Sequence, residues 1–455
     1  MSSLAPLPSA VPFRASPVLA LAALAGCAHY VPLPLVQTPP LAPAVAAPPG
    51  FVPGAPLGIS QVAALAVENN PDLRGIRARR GVAQAQLVQA GILPNPSLSA
   101  AILPLISGPG SVTGWNIGLT QDIKALVTYR AKRRAAGYSA GQVDAEILWQ
   151  EWQVAGQARQ LAADLIQGER SRPLLVETFD LLSRRNAILQ RALAAGNATL
   201  VTAAPTLVAL QGARTNLEAL DQAQLSRRHQ LNALLGLEPD VILPLRATID
   251  LPPFDPVAIR ASLATLPDHR PDLLALRLGY EAQDQNVRVA ILSQFPDLIL
   301  GGTAASDNSA VINGGPSATI GLPIFDRNQG NVAIANATRA QLHEEYSARL
   351  AAAVGQVGAT LTEMDQLARQ LAVVQGDLPA ARLAAERAAL AFGASNLDER
   401  SYVDLVINRY TKEQEFMTLE LALLDRQVAL QTLVGAGLPT VDTVPSLAIA
   451  KASGQ

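Results

Sequence analysis

A single cysteine, Cys27, stands in this 455-residue chain, which excludes a disulfide within it. Histidine is nearly as scarce: His29, His229, His269 and His343 lie far apart, none with a partner at the spacing of a metal site. No G-x-S-x-G elbow, P-loop or G-x-G-x-x-G turn appears in a catalytic context. The chain is therefore expected to be no enzyme and to hold no metal or cofactor. Aromatic residues are 4% and charged residues 16% of the whole, a supply that suits long helices packed through small side chains better than a globular enzyme core. Net charge is −2, with arginines scattered among acids, so no basic stripe is offered to nucleic acid. No uninterrupted apolar run approaches the roughly 18 residues of a membrane-spanning helix. If the chain crosses a membrane, it does so with strands.

What is present begins at the N-terminus. "SPVLALAALAGCAHY" is a short apolar run ending in Leu24-Ala25-Gly26-Cys27, and it resembles a bacterial lipoprotein signal. That resemblance implies a signal peptide over residues 1–26 and a lipid on Cys27, hence anchorage to a bilayer. Ala28, where an aspartate would hint at inner-membrane retention, favours the outer membrane. The alternative is a buried free cysteine after an ordinary signal sequence. Residues 27–58 are so rich in proline that they read as an extended tether.

The rest repeats itself. "NNPDLRGIRAR" (Asn69–Arg79) returns as "HRPDLLALRLG" (His269–Gly279), "LPNPSLSAA" as "SQFPDLILG", and "WNIGLTQDI" as "ATIGLPIF". "RALAAG" returns as "RAALAFG" with one residue of slippage, and "LNALLGLEP" as "LQTLVGAGLP". Matches in one order at an offset of about 200 residues mark a duplication. Each half, 59–245 and 246–440, reads as helix, strand pair, long helix, tip and long helix, with a tail over 441–455.

Two β-hairpins are expected, at 97–123 and 297–324, with strands 97–106, 112–123, 297–306 and 312–324. Trp115, Ile117 and Leu119 share one face, with Asn116, Gly118, Thr120 and Asp122 on the other. Ile320, Leu322 and Ile324 likewise oppose Ser317, Thr319 and Gly321. Strands of about 10 residues suit an oblique crossing of an outer membrane. The strands around Leu98 and Leu298 are apolar but alternate poorly. The helices are coiled-coil-like, with seams at Ile147, Val154, Ala158, Leu161 and Leu165, and at Leu350, Val354, Val357, Leu361, Met364, Ala368 and Leu371. From Arg130 to Leu193 the pattern extends for about 64 residues, close to 100 Å, a length no compact domain needs. Pro173 and Pro379 are expected to kink or break the two long helices. Between strand and helix, "FDRNQG" forms a corner, with Phe325 near the lipid interface and Asp326 placed to cap the helix.

Four strands cannot close a barrel, and an open sheet edge in lipid leaves backbone groups unpaired at several kcal/mol each. Three copies would supply twelve strands. At this point the chain resembles the TolC-like outer-membrane efflux protein family over roughly Gln61 to Pro439. The residues carrying the resemblance are Pro71-Asp72-Leu73, Arg270-Pro271-Asp272-Leu273, the strand pairs, "LPIFDRNQGN", the Gly196 and Gly393 tips and the endings Leu235-Gly236 and Val434-Gly435. The resemblance implies a mainly α fold with a small membrane β part: a homotrimer forming a twelve-stranded β-barrel in the outer membrane over a periplasmic α-helical coiled-coil tunnel. It implies an exit duct working with a periplasmic adaptor protein and an inner-membrane pump. "FDRNQGN" resembles the subgroup that exports divalent heavy metals with proton-driven pumps of the resistance-nodulation-division type.

The site residues follow from the same resemblance. Arg191, Gly196, Arg387 and Gly393 belong to the tips that dock the adaptor. Asp398, Glu399, Arg400 and Asp404 are candidates for the gate, and Asn116, Thr120, Asp122, Ser317 and Thr319 for the barrel lumen. A charged, solvated turn is the plainer reading of Asp398, Glu399 and Arg400. Two other functions stay open: the exit duct of a type I protein-secretion machine, and a lipid-anchored periplasmic coiled-coil scaffold with no channel.

Overall fold

The computed structural model describes residues 30–38, 40–45, 55–251 and 255–439. Cys27, the expected signal peptide and the C-terminal tail lie outside the described residues. The chain divides into two units, Met1–Leu41 and Ala42–Gln455. The described part of the first unit contains neither helix nor strand.

The second unit opens with α1 (Ile59–Asn69) and α2 (Pro71–Ala90), then β1 (Ser97–Leu103) and β2 (Gly114–Asp122). The long α3 (Ile123–Ala194) and α4 (Leu200–Leu234) complete the first repeat. The second runs through α5 (Pro256–Ser262), α6 (Leu266–His269), α7 (Pro271–Leu292), β3 (Leu298–Ser306) and β4 (Ile312–Ile320) to α8 (Gln329–Gly393) and α9 (Glu399–Val434). At 72 residues, α3 spans about 108 Å.

The duplicated Pro-Asp-Leu starts are held by different chemistry. Ahead of α2, the Asn70 side chain accepts from Leu73 N–H and donates to the Leu234 carbonyl at the end of α4, each at 2.9 Å. Ahead of α7 stands Arg270, whose guanidinium grips Asp272 at 2.8 and 3.1 Å and lies over the Trp149 ring of α3. Both members of that pair are buried, so the second repeat is tied to the first by a charge where its twin uses an amide.

Alanine lets the helices come close. Ile59, Val62 and Leu65 of α1 pack on Ala155, Ala158 and Ala162 of α3 and on Leu231 of α4. The seam of α3 is buried at Ile147, Ala158, Leu161 and Leu165. On α8 the expected seam is shifted: Val354 and Ala368 are exposed, and the buried stripe is Ala353, Val357, Leu361 and Met364. It continues through Val374, Leu378, Ala381, Ala385 and Ala388, alternating steps of four and three.

Pro173 and Pro379 break neither helix, since α3 and α8 run through them without interruption. Each removes one backbone donor, and the helix stays buried on both sides of the gap, at Gln167 and Gly168 before Pro173 and Thr178 after it, and at Leu378 and Ala381 flanking Pro379.

The four strands form one antiparallel sheet in the order β1-β2-β3-β4. The β2–β3 pairing, from Trp115 opposite Ser306 to Asp122 opposite Ile299, joins the two repeats. β1, β2 and β4 end sooner than the sequence pattern suggests, whereas β3 ends at Ser306 as expected. Pro104 follows β1, and Pro323, which has no N–H to donate, stands just beyond β4. Leu322 and Ile324 therefore lie outside the strand, and the last bond on that side runs from Gly321 N–H to the Asp297 carbonyl at 2.8 Å.

At the corner the cap is also displaced. Asp326 accepts from Asn328 N–H at 2.8 Å, shaping the turn, and the residue that starts α8 is Asn328, in a left-handed conformation with φ 61°. Its amide donates to the Ala290 carbonyl of α7 at 2.7 Å, pinning the corner to the preceding helix. In the first repeat the carboxylate of Asp122 does cap: it accepts from Ala125 N–H at 3.1 Å.

Candidate functional site

Two regions carry the residues singled out from the sequence: the sheet and the far ends of the helical hairpins. In the sheet, register decides which side chains share a face, because neighbours across an antiparallel ladder point the same way. Leu98 opposes Leu119, Ile102 opposes Trp115, and Leu298 opposes Ile320. Ile117, Leu300 and Ile312 fall on that same face. Leu98, Ile102, Ile117, Leu119, Leu300, Ile312 and Ile320 are all exposed on the protomer. An apolar face open to the outside is the pattern of a sheet whose solvent is lipid. The opposite face gathers Asn116, Thr120 and Asp122 from β2 with Ser317 and Thr319 from β4, together with Ser99 and Thr303. The five lumen candidates thus share one surface. Phe325, just past β4, is almost fully exposed.

The helical hairpins turn by one recipe used twice. After α3, Gly196 takes φ +75° and Asn197 N–H bonds back to the Ala192 carbonyl at 2.8 Å. After α8, Asn396 N–H bonds back to the Ala391 carbonyl at 2.9 Å, and the left-handed residue is Ser395, with φ +60°. Gly393 is the last residue of the helix and makes no turn. The next helices begin on matched caps, Thr199 accepting from Thr202 N–H and Asp398 accepting from Ser401 N–H. Arg191 and Arg387 are both exposed, but they do not occupy equivalent places on the two hairpins: Leu390, not Arg387, stands where Arg191 stands relative to its turn.

The four gate candidates separate. Asp398 is the cap of α9, and the Ser401 hydroxyl donating to it at 2.6 Å holds its carboxyl below the usual carboxylate range. Glu399 is paired with Arg185 of α3, with both side chains largely buried. The Arg185 guanidinium also lies 4.1 Å from the Phe392 ring centroid and 5.0 Å from that of Tyr402. Arg400 and Asp404 form an exposed pair at 3.9 Å, one helical turn apart. Arg185, Phe392 and Tyr402 escaped the sequence reading, which held no cue that residues about 200 apart meet at this tip.

Further from the tip, three helices meet at a second charged group. Arg227 of α4 lies 3.1 Å from the carboxylate of Asp164 on α3, and Asp425 of α9 hydrogen-bonds to that same aspartate. Burial pushes the Asp425 carboxyl up to about 7, with the Asp164 charge adding to the effect, and burial also raises Asp164. A carboxyl whose folded pKa lies above its unfolded value of 3.8 keeps a proton that the unfolded chain releases. Its stabilising contribution is present below about pH 4 and is lost as pH rises to about 7. Asp425→Asn should therefore flatten the fall in stability between pH 5 and pH 8. It should be the more stable form at pH 8 by about 1–2 kcal/mol, once solvent screening of a half-buried pair is allowed for. Thermal melts of the helical dichroism at the two pH values test this; parallel curves for wild type and variant would count against the shared proton.

Among the described residues no group of three His, Cys, Asp or Glu side chains is placed to hold a metal ion, and no helix is long and apolar enough to cross a membrane.

Comparison with known proteins adds similarities of sequence and fold. Residues 264–436 match the family model described as outer membrane efflux protein. The chain is 26% identical over 308 residues to the cobalt-zinc-cadmium resistance protein CzcC of Cupriavidus metallidurans, covering 64% of this chain and 69% of that protein. It is 24% identical over 257 residues to the probable outer membrane lipoprotein SilC of Salmonella typhimurium, covering 52% and 55%. The crystal structure of the outer membrane protein VceC from Vibrio cholerae superposes with a TM-score of 0.69 at 18% identity, covering 83% of this chain and 96% of that one.

Proposed function

We infer that this chain is a member of the outer membrane efflux protein family and the protomer of an exit duct that carries small solutes out through the outer membrane. One observation carries the reading: the sheet has an exposed face that is apolar except for Gln121 and Ser306, a polar face, and two unpaired edges, β1 and β4, among the described residues. Edges cannot be left open to lipid. Identical copies meeting edge to edge would close them, with the polar faces lining the pore and the long helices continuing its wall away from the membrane. Three copies give the twelve strands of a barrel wide enough for water.

In this arrangement the tips that carry Arg191, Gly196, Arg387 and the Ser395 turn meet a periplasmic adaptor, and an inner-membrane pump of the resistance-nodulation-division type delivers the cargo. The similarity to CzcC supports divalent metal cations as the solute. The similarity to SilC supports a lipid on Cys27 and residence in the outer membrane. Asn116, Thr120, Ser317 and Thr319 would wet the pore without selecting among solutes, so choice of cargo would rest with the pump.

Light scattering of the purified protein followed by single-channel recording in a planar bilayer tests the reading. A trimer giving discrete conductance steps is expected. A monomer or dimer that never conducts would abandon the barrel in favour of a lipid-anchored scaffold.

A further inference from the structure

The helical body has a half-open cleft of about 440 Å³ between α3, the end of α4 and the chain that follows α4. Its floor is apolar, made by Leu165, Ile166 and Leu231, which belong to the main core. Its charged lining is one-sided: Arg170, Arg228 and Arg246 with a single carboxylate, Glu169. Glu169 also acts on Arg172, outside the cleft.

Many arginines of the helical body are matched with acids, as in Arg77 with Glu151, Arg80 with Asp144, Arg172 with Asp221 and Arg227 with Asp164. The three in the cleft are not. Arg170 donates to the amide oxygen of Gln167 at 3.3 Å and Arg246 to the Pro56 carbonyl at 3.1 Å, both neutral acceptors. Arg228 has no partner among the described residues.

The wall of the cleft is built to stay in place. The Asn232 amide donates to the carbonyls of Glu238, Pro239 and Val241 at 2.8–3.2 Å, fixing the chain as it leaves α4. Asn232 is fully buried at the cleft, and its own amide oxygen receives no donor. Leu57, at the end of the proline-rich tether, bonds on both sides of Leu245: its N–H to the Pro244 carbonyl at 2.8 Å, and its carbonyl from Arg246 N–H at 2.9 Å.

We propose that this cleft binds an amphiphilic organic anion, one per protomer. Its carboxylate or phosphate head sits among Arg170, Arg228 and Arg246, and its apolar body lies on Leu165, Ile166 and Leu231. Guanidiniums without counter-ions above an apolar floor favour a ligand that is anionic at one end only, since a bare ion leaves the floor wet and a neutral apolar molecule leaves the arginines unpaired. The head group bridges α3, α4 and the wall held by the tether, so occupancy couples the tether's attachment to the helical body. This inference stands independently of the duct.

The test uses the full-length protein held in an amphipathic polymer and fluorine NMR of para-trifluoromethylbenzoate, with para-trifluoromethylbenzylammonium as the matched cation. The anion is expected to bind saturably, once per protomer, and the cation not to bind. Arg170→Gln with Arg228→Gln should weaken binding at least about tenfold, the equivalent of one charge-assisted contact, while Arg228→Lys retains most of it. Decanoate and a short-chain phosphatidic acid should displace the probe at far lower concentration than inorganic phosphate, and whichever is the stronger distinguishes a carboxylate from a phosphate head. Equal binding of anion and cation would overturn the proposal. So would binding unchanged in the double variant, or displacement by inorganic phosphate as good as by decanoate. Both arginines stand at the rim, and unchanged helical dichroism of the double variant would show that lost binding is not lost folding.

Discussion

Arg185→Ala should leave the trimer assembled yet raise its single-channel conductance several-fold. The reason lies in what one guanidinium joins. Arg185 sits on α3, in the first hairpin. Its Nε donates to Glu399 at 3.0 Å, and a second nitrogen reaches the other carboxylate oxygen, at the start of α9. Its guanidinium lies over Phe392 from the last turn of α8 and over Tyr402 from the first turn of α9, rings that stack on each other with centroids 5.0 Å apart. One side chain therefore clamps both arms of the second hairpin to the first, next to the turn.

The clamp is nearly dry, with Arg185 and Glu399 side chains only 17% and 14% exposed. Removing one member of a buried pair costs about 3–5 kcal/mol, because the other charge is left without a partner. The stacking adds about 0.5–2 kcal/mol. In the proposed duct these costs fall on the arrangement in which the two hairpins touch; once the hairpins separate, Glu399 is hydrated. The equilibrium should move toward the open mouth. Glu399→Gln keeps the stack and should act in the same direction more weakly. Arg185→Lys, which retains charge but loses the planar fork, should fall between. Asp404→Ala should change little by comparison, since its pair with Arg400 is exposed and long. Conductance of Arg185→Ala indistinguishable from wild type would mean the clamp does not hold the mouth.

That clamp also marks where the sequence stops being readable. Local patterns are legible because their causes are local. Trp115, Ile117 and Leu119 alternate with polar residues along a single strand, and the register places them as their period implies. β1 and β3 obey the same register yet read poorly, since small residues such as Ala100, Gly302 and Ala304 occupy their apolar face and Leu103 and Ile299 their polar one. Hydropathy fails to alternate there although geometry does. The helix lengths and the duplication are also plain, because repeats reveal themselves in one dimension.

Turns are half legible. A glycine near a helix end suggests a left-handed cap, which holds for Gly196 and misleads at Gly393, where Ser395 takes the strained position. At the corner, Asp326 has the right chemistry for a cap but sits two residues early. What cannot be read is any partnership made by helices packing side by side. Arg185 looks like its neighbour Arg184 until α9 brings Glu399 to it. The same holds for Asp164 and Asp425, which look like ordinary surface acids on two separate helices until packing sets them against each other.

The largest effect on stability is expected at a third kind of position, a glycine whose missing side chain is replaced by someone else's. Three glycines adopt left-handed backbone at the ends of long helices, and they differ in surroundings. A Cβ on Gly196 (φ +75°) would meet nothing within 4 Å. On Gly236 (φ +67°) it would lie 3.2 Å from Pro71 Cγ and 3.3 Å from the Asn69 carbonyl oxygen. On Gly435 (φ +77°) it would lie 2.2 Å from Cη2 of Trp152. That ring cannot step aside. Trp152 is buried among Ala145, Leu148, Leu274 and Leu278, and its indole N–H donates to the Pro439 carbonyl at 3.0 Å. Arg159 of α3 fastens the same loop through the carbonyls of Ala436 and Gly437, at 3.2 and 2.8 Å. Alanine at each site has a backbone cost of about 1 kcal/mol. At Gly435 the overlap adds about 1–3 kcal/mol more and pries the end of the second repeat away from the first. Thermal melts of the helical signal should therefore rank Gly435→Ala as the least stable, Gly236→Ala next and Gly196→Ala nearest to wild type. An equal loss at all three would mean that backbone strain alone decides and that the Trp152 contact yields without cost.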